Sequence, residues 1–248
     1  IAMSQASIAR GWRVSTARAY LDKARKRPNL HIVTGARADA VVLEGRRCVG
    51  VRWSSADGTS HEARATRDVV LSGGSINSPQ LLELSGIGQP ARLKALGIEV
   101  RHELPGVGEN LRDHYAPRTR WLVGTKGVTY NDTARGLGMA KQALRWLLFK
   151  DGLLCSVGAP MRAFVFSREG LSAPDLLLGW VPMFSEASPG GPRISKTAGF
   201  TCYAHVMRPE SKGSIHVTSA DAGVPPAIRY NFLSAPVDAE LTLRAVRI

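Results

Sequence analysis

The densest run of positions able to do chemistry lies between Val69 and Gly88. Val69-Val70-Leu71 is a short apolar stretch suited to an interior parallel-sheet strand, buried on both faces. Ser72, Gly73 and Gly74 follow at its carboxyl end, where open α/β sheets place their ligands. Two adjacent glycines remove the side chains that would keep a backbone away from a bulky ligand. Ser78 is placed to cap a short helix that Pro79 opens and that runs to about Leu84, and Gly86 and Gly88 frame a second tight turn.

A second loop, Leu104-Pro-Gly-Val-Gly-Glu-Asn-Leu-Arg-Asp-His114, is marked by its proline and paired glycines. It could aim Asn110, Asp113 and His114 at a ligand, although such groups more often hydrogen-bond their own loop. A general base must reach the proton it removes. The histidines here, at positions 31, 61, 102, 114, 205 and 216, fall in strands and loops. His205, in an apolar strand, is the most tempting; a strand histidine is more often a satisfied packing residue, so no catalytic residue is assigned. Cys48, Cys155 and Cys202 are far apart and form no CxxC pair, which indicates neither a zinc site nor a disulfide framework. A reducing compartment, and so a cytoplasmic location, is the simplest expectation. Asn131-Asp132-Thr133 matches a glycosylation sequon, but a match of three residues carries no weight.

The elements that must position these residues alternate in type. Ser15 or Thr16 can cap a helix running to about Lys26. Strands are expected over Leu30–Thr34, Ala40–Leu43, Cys48–Trp53 and Ser60–Ala65, separated by Gly35, Gly45-Arg46 and Asp57-Gly58: an antiparallel meander leading to the buried run at Val69. Pro90 to Leu96 reads as a short helix closed by Gly97, with a strand over Ile98–Val100. Gly138 to Lys150 reads as a helix whose apolar stripe could lie on a membrane surface and more often packs into a core. Ala163–Phe166, Leu176–Val181, Thr201–Met207 and Ser214–Val217 suggest the mixed sheet of a second domain. The expected division is 1–115 and 116–248.

The chain has 248 residues, with 33 Lys and Arg against 20 Asp and Glu. That excess raises nucleic acid or a membrane surface as a partner, but the basic residues are scattered and not interleaved with aromatics, so no nucleic-acid partner is expected. No apolar run here is long enough for a transmembrane segment, so none is expected, and these residues give no reason to expect a signal peptide.

The whole string from Val69 to Gly88 resembles the second signature of the glucose-methanol-choline (GMC) oxidoreductases, flavoenzymes that oxidise alcohols. The loop ending at His114 resembles the same family's PGVGxNLxDH segment. Arg208–Gly213 and Pro225–Phe232 also resemble family segments, so the resemblance runs over essentially all the chain and covers the middle of a family member. It implies an α/β, two-domain flavoprotein fragment: an incomplete Rossmann-like FAD-binding domain with the meander, plus part of a mixed-sheet substrate-binding domain. FAD is the implied cofactor, with Ala38 (whose backbone meets the adenine in relatives), Ser72, Gly73, Gly74, Asn77 and Ser78 carried over as cofactor-binding positions. The implied partners are a small-molecule alcohol and an electron acceptor that is oxygen, a quinone or dye-like. No GxGxxG is present, and neither is the segment in which the family places its catalytic histidine, so these residues alone are expected to be inactive. Pro160 fills the place where choline-specific relatives carry a glutamate, which puts choline in doubt. A hydroxynitrile lyase of the same family, or a basic binding module without catalysis, remains the alternative.

Overall fold

Turn residues spaced by single strand lengths make hairpins of the early chain, and the computed structural model, which describes residues 1–191 and 193–248, bears this out. In chain order come β1 (Ala2–Met3), β2 (Arg37–Glu44), β3 (Arg47–Ser54), β4 (Ser60–Arg64), α1 (Gly74–Leu84), β5 (Ile87–Gly88), α2 (Pro90–Ala95), β6 (His102–Glu103) and β7 (Glu109–Leu111). Then follow β8 (Arg118–Leu122), α3 (Gly136–Phe149), β9 (Met161–Val165), β10 (Leu176–Val181), β11 (Gly199–Val206), β12 (Gly213–His216), β13 (Ala227–Arg229) and α4 (Pro236–Arg247). They form two compact units. One comprises His31–Asp113 and Pro209–Ala235, the other Ile1–Leu30, His114–Arg208 and Pro236–Ile248. Each unit therefore gathers separate segments, where a linear division at 115 and 116 was expected.

In the first unit β2, β3 and β4 form the antiparallel meander, in the register Val41 to Val51 to Ala63. It begins at Arg37; the strand expected over Leu30–Thr34 does not form. The expected interior strand at Val69–Leu71 is also absent, and Val70 is 81% exposed. An apolar run becomes a strand only beside a neighbour that takes its N–H and C=O groups, and no described residue does so here. Ile98–Val100 likewise forms no strand. Ile98 instead packs with Leu93 and Val217 in a core flanked by Leu84, Leu96 and Val100. The parallel pairing falls just beyond it, between β5 and β6.

Helix α1 starts at Gly74, earlier than expected, because Gly74 at φ +80° turns the chain straight into the helix. Ser78 is consequently inside the helix and caps nothing, and Pro79, which lacks only its own N–H, is tolerated within it. Strand β12 pairs antiparallel with β7 on one side and β13 on the other.

The second unit is built on a five-stranded sheet in the order β1-β9-β10-β11-β8, whose pairings are antiparallel throughout. Ala245 of α4 is buried with Leu176, Ala204 and Val206 of this sheet. Ala17–Leu21 forms a π-helical turn and Asp22–Ala24 an α turn, where one continuous helix was expected. Trp146 anchors α3, its indole N–H donating to the Gly11 carbonyl at 2.8 Å and its ring meeting Trp12 edge-on. The apolar stripe of α3, Leu144, Leu147 and Leu148, is exposed, contrary to the expected core packing. Asn131 of the sequon is buried, with its amide bonded to Phe184 and to the Ser195 carbonyl, which leaves it inaccessible to glycosylation in this fold.

Candidate functional site

Backbone without side chains is what the sequence offered a ligand, and the first unit places that backbone along a cleft. The cleft has a volume of about 810 Å³. Ala38 of β2 lines it, as do Ser72 and Gly73, and Asn77 and Ser78 of α1. Five of the six expected cofactor positions are thus brought together. Gly74 does not line the cleft: a Cβ there would meet no atom, and what calls for glycine is its positive φ. Gly73 is the N-cap of α1 and provides no side-chain cap, so the first-turn N–H groups of this 11-residue helix are left to other partners. The opposite rim is the segment Ala222–Pro226, tied to α1 by Gln80, whose amide donates to the Val224 carbonyl at 3.1 Å. Beside Ala38, burial alone would raise the carboxyl of Asp39, but hydrogen bonds from Ser54 and Arg37 hold it below the ordinary aspartate value.

The far end of α1 carries a constellation that sequence reasoning missed. Glu83 is fully buried, one carboxylate oxygen accepting from the Val217 backbone N–H at 2.8 Å and the other lying 2.7 Å from Nδ1 of His216. The second ring nitrogen of His216 lies 3.0 Å from a Glu109 oxygen, which also accepts from the Gln89 amide at 2.7 Å. That donation from Gln89, with smaller contributions from His216 and Arg92, outweighs burial and lowers the pKa of Glu109. Gly108, at φ +78°, makes room for the ring: a Cβ there would come within 2.6 Å of Nδ1. The signal in the sequence is a glutamate set among Leu81, Leu82 and Leu84 in the last turn of the helix, since its partners lie far along the chain.

The two histidines weighed as chemistry-bearing fall in the second unit. His205 is buried and stacked on His114 with ring centroids 4.1 Å apart, its Nδ1 3.2 Å from the Val206 carbonyl. Burial depresses its pKa, and His114 and Arg162 add to this. His114 also lies 3.1 Å from the Met207 carbonyl, so it is engaged by the β11 segment, far along the chain, where hydrogen bonding within its own loop was expected. Among the described residues no group of His, Cys, Asp and Glu is arranged to hold a metal, and the three cysteines are free. Nor is any described helix long and apolar enough to cross a membrane.

Residues 2–116 match the family model for GMC oxidoreductases. The chain is 38% identical over 239 residues to an oxygen-dependent choline dehydrogenase of Chromohalobacter salexigens, covering 96% of this chain and 42% of the relative. It is 35% identical over 247 residues to the one of Citrobacter koseri, covering 99% and 44%. The chain thus spans less than half the length of the curated relatives it matches. Its fold is similar to that of a formate oxidase, with TM-score 0.87 at 24% identity over 97% of this chain and 46% of that one. A pyridoxine 4-oxidase from Mesorbium loti follows, with TM-score 0.78 at 26% identity over 97% and 43%. Motif, sequence and fold agree, and the chain belongs to the GMC oxidoreductases.

Proposed function

We propose that this chain contributes the nucleotide side of an FAD cleft to an enzyme that oxidises an alcohol at its CH–OH group. The observation that carries the reading is the convergence of Ala38, Ser72, Gly73, Asn77 and Ser78 on one cleft, whose volume lies within the range of roughly 300–1,000 Å³ of ligand sites. Its lining fits the cofactor: bare backbone at Gly73, the uncapped N-terminus of α1 where N–H groups favour an anionic group, and apolar walls from Val51, Ile76 and Leu81. FAD, when bound, supplies the acceptor for the hydride that leaves the alcohol carbon. Ala38 and Ser72 would hold it through the main chain, with Asn77 and Ser78 offering side-chain contacts; Gly74 serves by turning the backbone. The first unit is then the cofactor-binding part and the second the substrate-binding part. Neither His205 nor His216 is offered as the base, because both are committed to neighbours inside the fold.

The substrate is a small alcohol. Pro160 has no carboxylate to draw a quaternary ammonium group, which favours a neutral alcohol over choline. The test is made in a protein of the relatives' full length that carries these residues. Flavin should co-purify, bleach anaerobically with neutral alcohols more readily than with choline, and be lost in Gly73→Val. A flavin-free protein, or a Gly73→Val variant that keeps its flavin, overturns the reading. The 248 residues alone should retain no flavin, because contacts on one side of a ligand this large do not offset the entropy of holding it.

A further inference from the structure

Helix α1 lines the cleft along its length, from Ile76 to Leu84, and Glu83 sits in its last turn, so whatever holds Glu83 holds the cleft wall. Carboxylate oxygens only accept hydrogen bonds, so each of the two contacts made by the His216 ring needs its own proton, and a neutral imidazole carries one. The remaining oxygen of Glu83 is already committed to Val217. We propose that Glu83, His216 and Glu109 form a two-proton latch, in which they act as positioning residues that fix α1 against β12 and β7 and thereby set the cleft. The latch is closed when the three groups together hold two protons, whether as an imidazolium between two carboxylates or as a neutral ring beside one protonated carboxyl. Removing one of those protons opens one contact beside a fully buried carboxylate.

The groups facing the ring are few. Glu83 comes from α1 and Glu109 from β7; Gly108 backs the ring, Ala227 of β13 pairs with His216 across the sheet, and Arg92 of α2 acts through Glu109. Arg92 supplies positive charge but no proton to either contact, and its own Nε is buried with no hydrogen-bond partner among the described residues. The latch rests on this geometry and not on the identity of the cofactor.

Replacing a glutamate by glutamine separates a proton-sharing role from simple packing. In Glu83→Gln the amide oxygen can still accept from Val217 while its N–H₂ donates to Nδ1 of a neutral His216, which then donates through Nε2 to Glu109. Every contact survives with one shared proton fewer. Amide hydrogen exchange of α1 in the 248-residue chain, corrected for intrinsic rates, is followed from neutral to alkaline pH. The wild type should lose α1 protection as pH rises, while Glu83→Gln keeps it with little pH dependence. His216→Phe should speed α1 exchange about tenfold or more at neutral pH. Equal pH slopes in the wild type and Glu83→Gln, or unchanged protection in His216→Phe, would overturn the latch. If His216→Phe does not fold, the two slopes decide alone. Flavin affinity in the full-length protein is read separately: closure of α1 without any effect on flavin refutes the cleft assignment and leaves the latch standing.

Discussion

Two strand histidines in this protein are almost equally buried, His205 at 8% exposure and His216 at 5%, yet they are used differently. His205 lies against rings and a single backbone carbonyl; the Val206 carbonyl favours the protonated ring, but burial, helped by His114 and Arg162, outweighs it and favours the neutral one. His216 lies between two carboxylates, in contacts that can be made only with protons to share. Burial states the cost of charge at a site; the partners decide whether that cost is offset. Hence an apolar strand pattern around a histidine says little about what the histidine does.

The contrast is broken most severely at Gly108. Gly108→Val would force a side chain onto a backbone at φ +78°, against the Ile215 carbonyl and into the His216 ring, so a loss of roughly 3–5 kcal/mol is expected from strain together with lost buried hydrogen bonds, measured by urea unfolding. A loss below about 1 kcal/mol would show that both the Ile215 backbone and the ring can move away without leaving the carboxylates stranded. A smaller loss, roughly 1–3 kcal/mol, is expected for His205→Ala, which removes packing and no ionic partner. In a full-length flavin-loaded protein this variant should keep its flavin and slow anaerobic flavin reduction only modestly. A drop on the order of a thousandfold would place His205 in the chemistry and erase the distinction drawn here.

Acid sharpens the comparison with the smallest effects, because the two sites respond in different windows. The depressed pKa of His205 means that the unfolded chain binds a proton more readily than the folded one, so its contribution is whole above the ordinary histidine value and is lost as pH falls below about 6.5. A His205→Phe variant should therefore show a shallower decline in Tm over the first step of acidification. Glu109 has a depressed carboxylate pKa, so its contribution is present above the ordinary glutamate value and disappears as pH falls through the folded value, at lower pH than the first step. Glu109→Gln should flatten only that second step. If each substitution altered the same part of the Tm curve, the two sites would be acting as one.

Much of the fold was legible in the sequence wherever the signal was local. The turns at Gly45-Arg46 and Asp57-Gly58 delimit β3 within a residue of expectation, Gly97 ends α2, and the Leu176–Val181 strand occurs as read. Errors arose where structure depends on a distant partner. Val69–Leu71 has strand composition and no ladder neighbour, Ile98–Val100 gives its apolar residues to a core, and Ser78 ceased to be a cap once Gly74 had opened the helix.

The residues by themselves determined the resemblance to the GMC oxidoreductase family, because a long signature depends on the order of its residues and needs no coordinates to be read. They also determined which backbone would be bare, since glycine has no side chain in any fold. Tertiary structure alone decided that Gly74 would leave the cleft that Ala38, Ser72 and Gly73 share, and that Glu83 would meet His216, 133 residues away. A buried carboxylate is stable only where donors converge on it from several elements. That convergence is a property of the packed chain, which no local pattern in the sequence encodes.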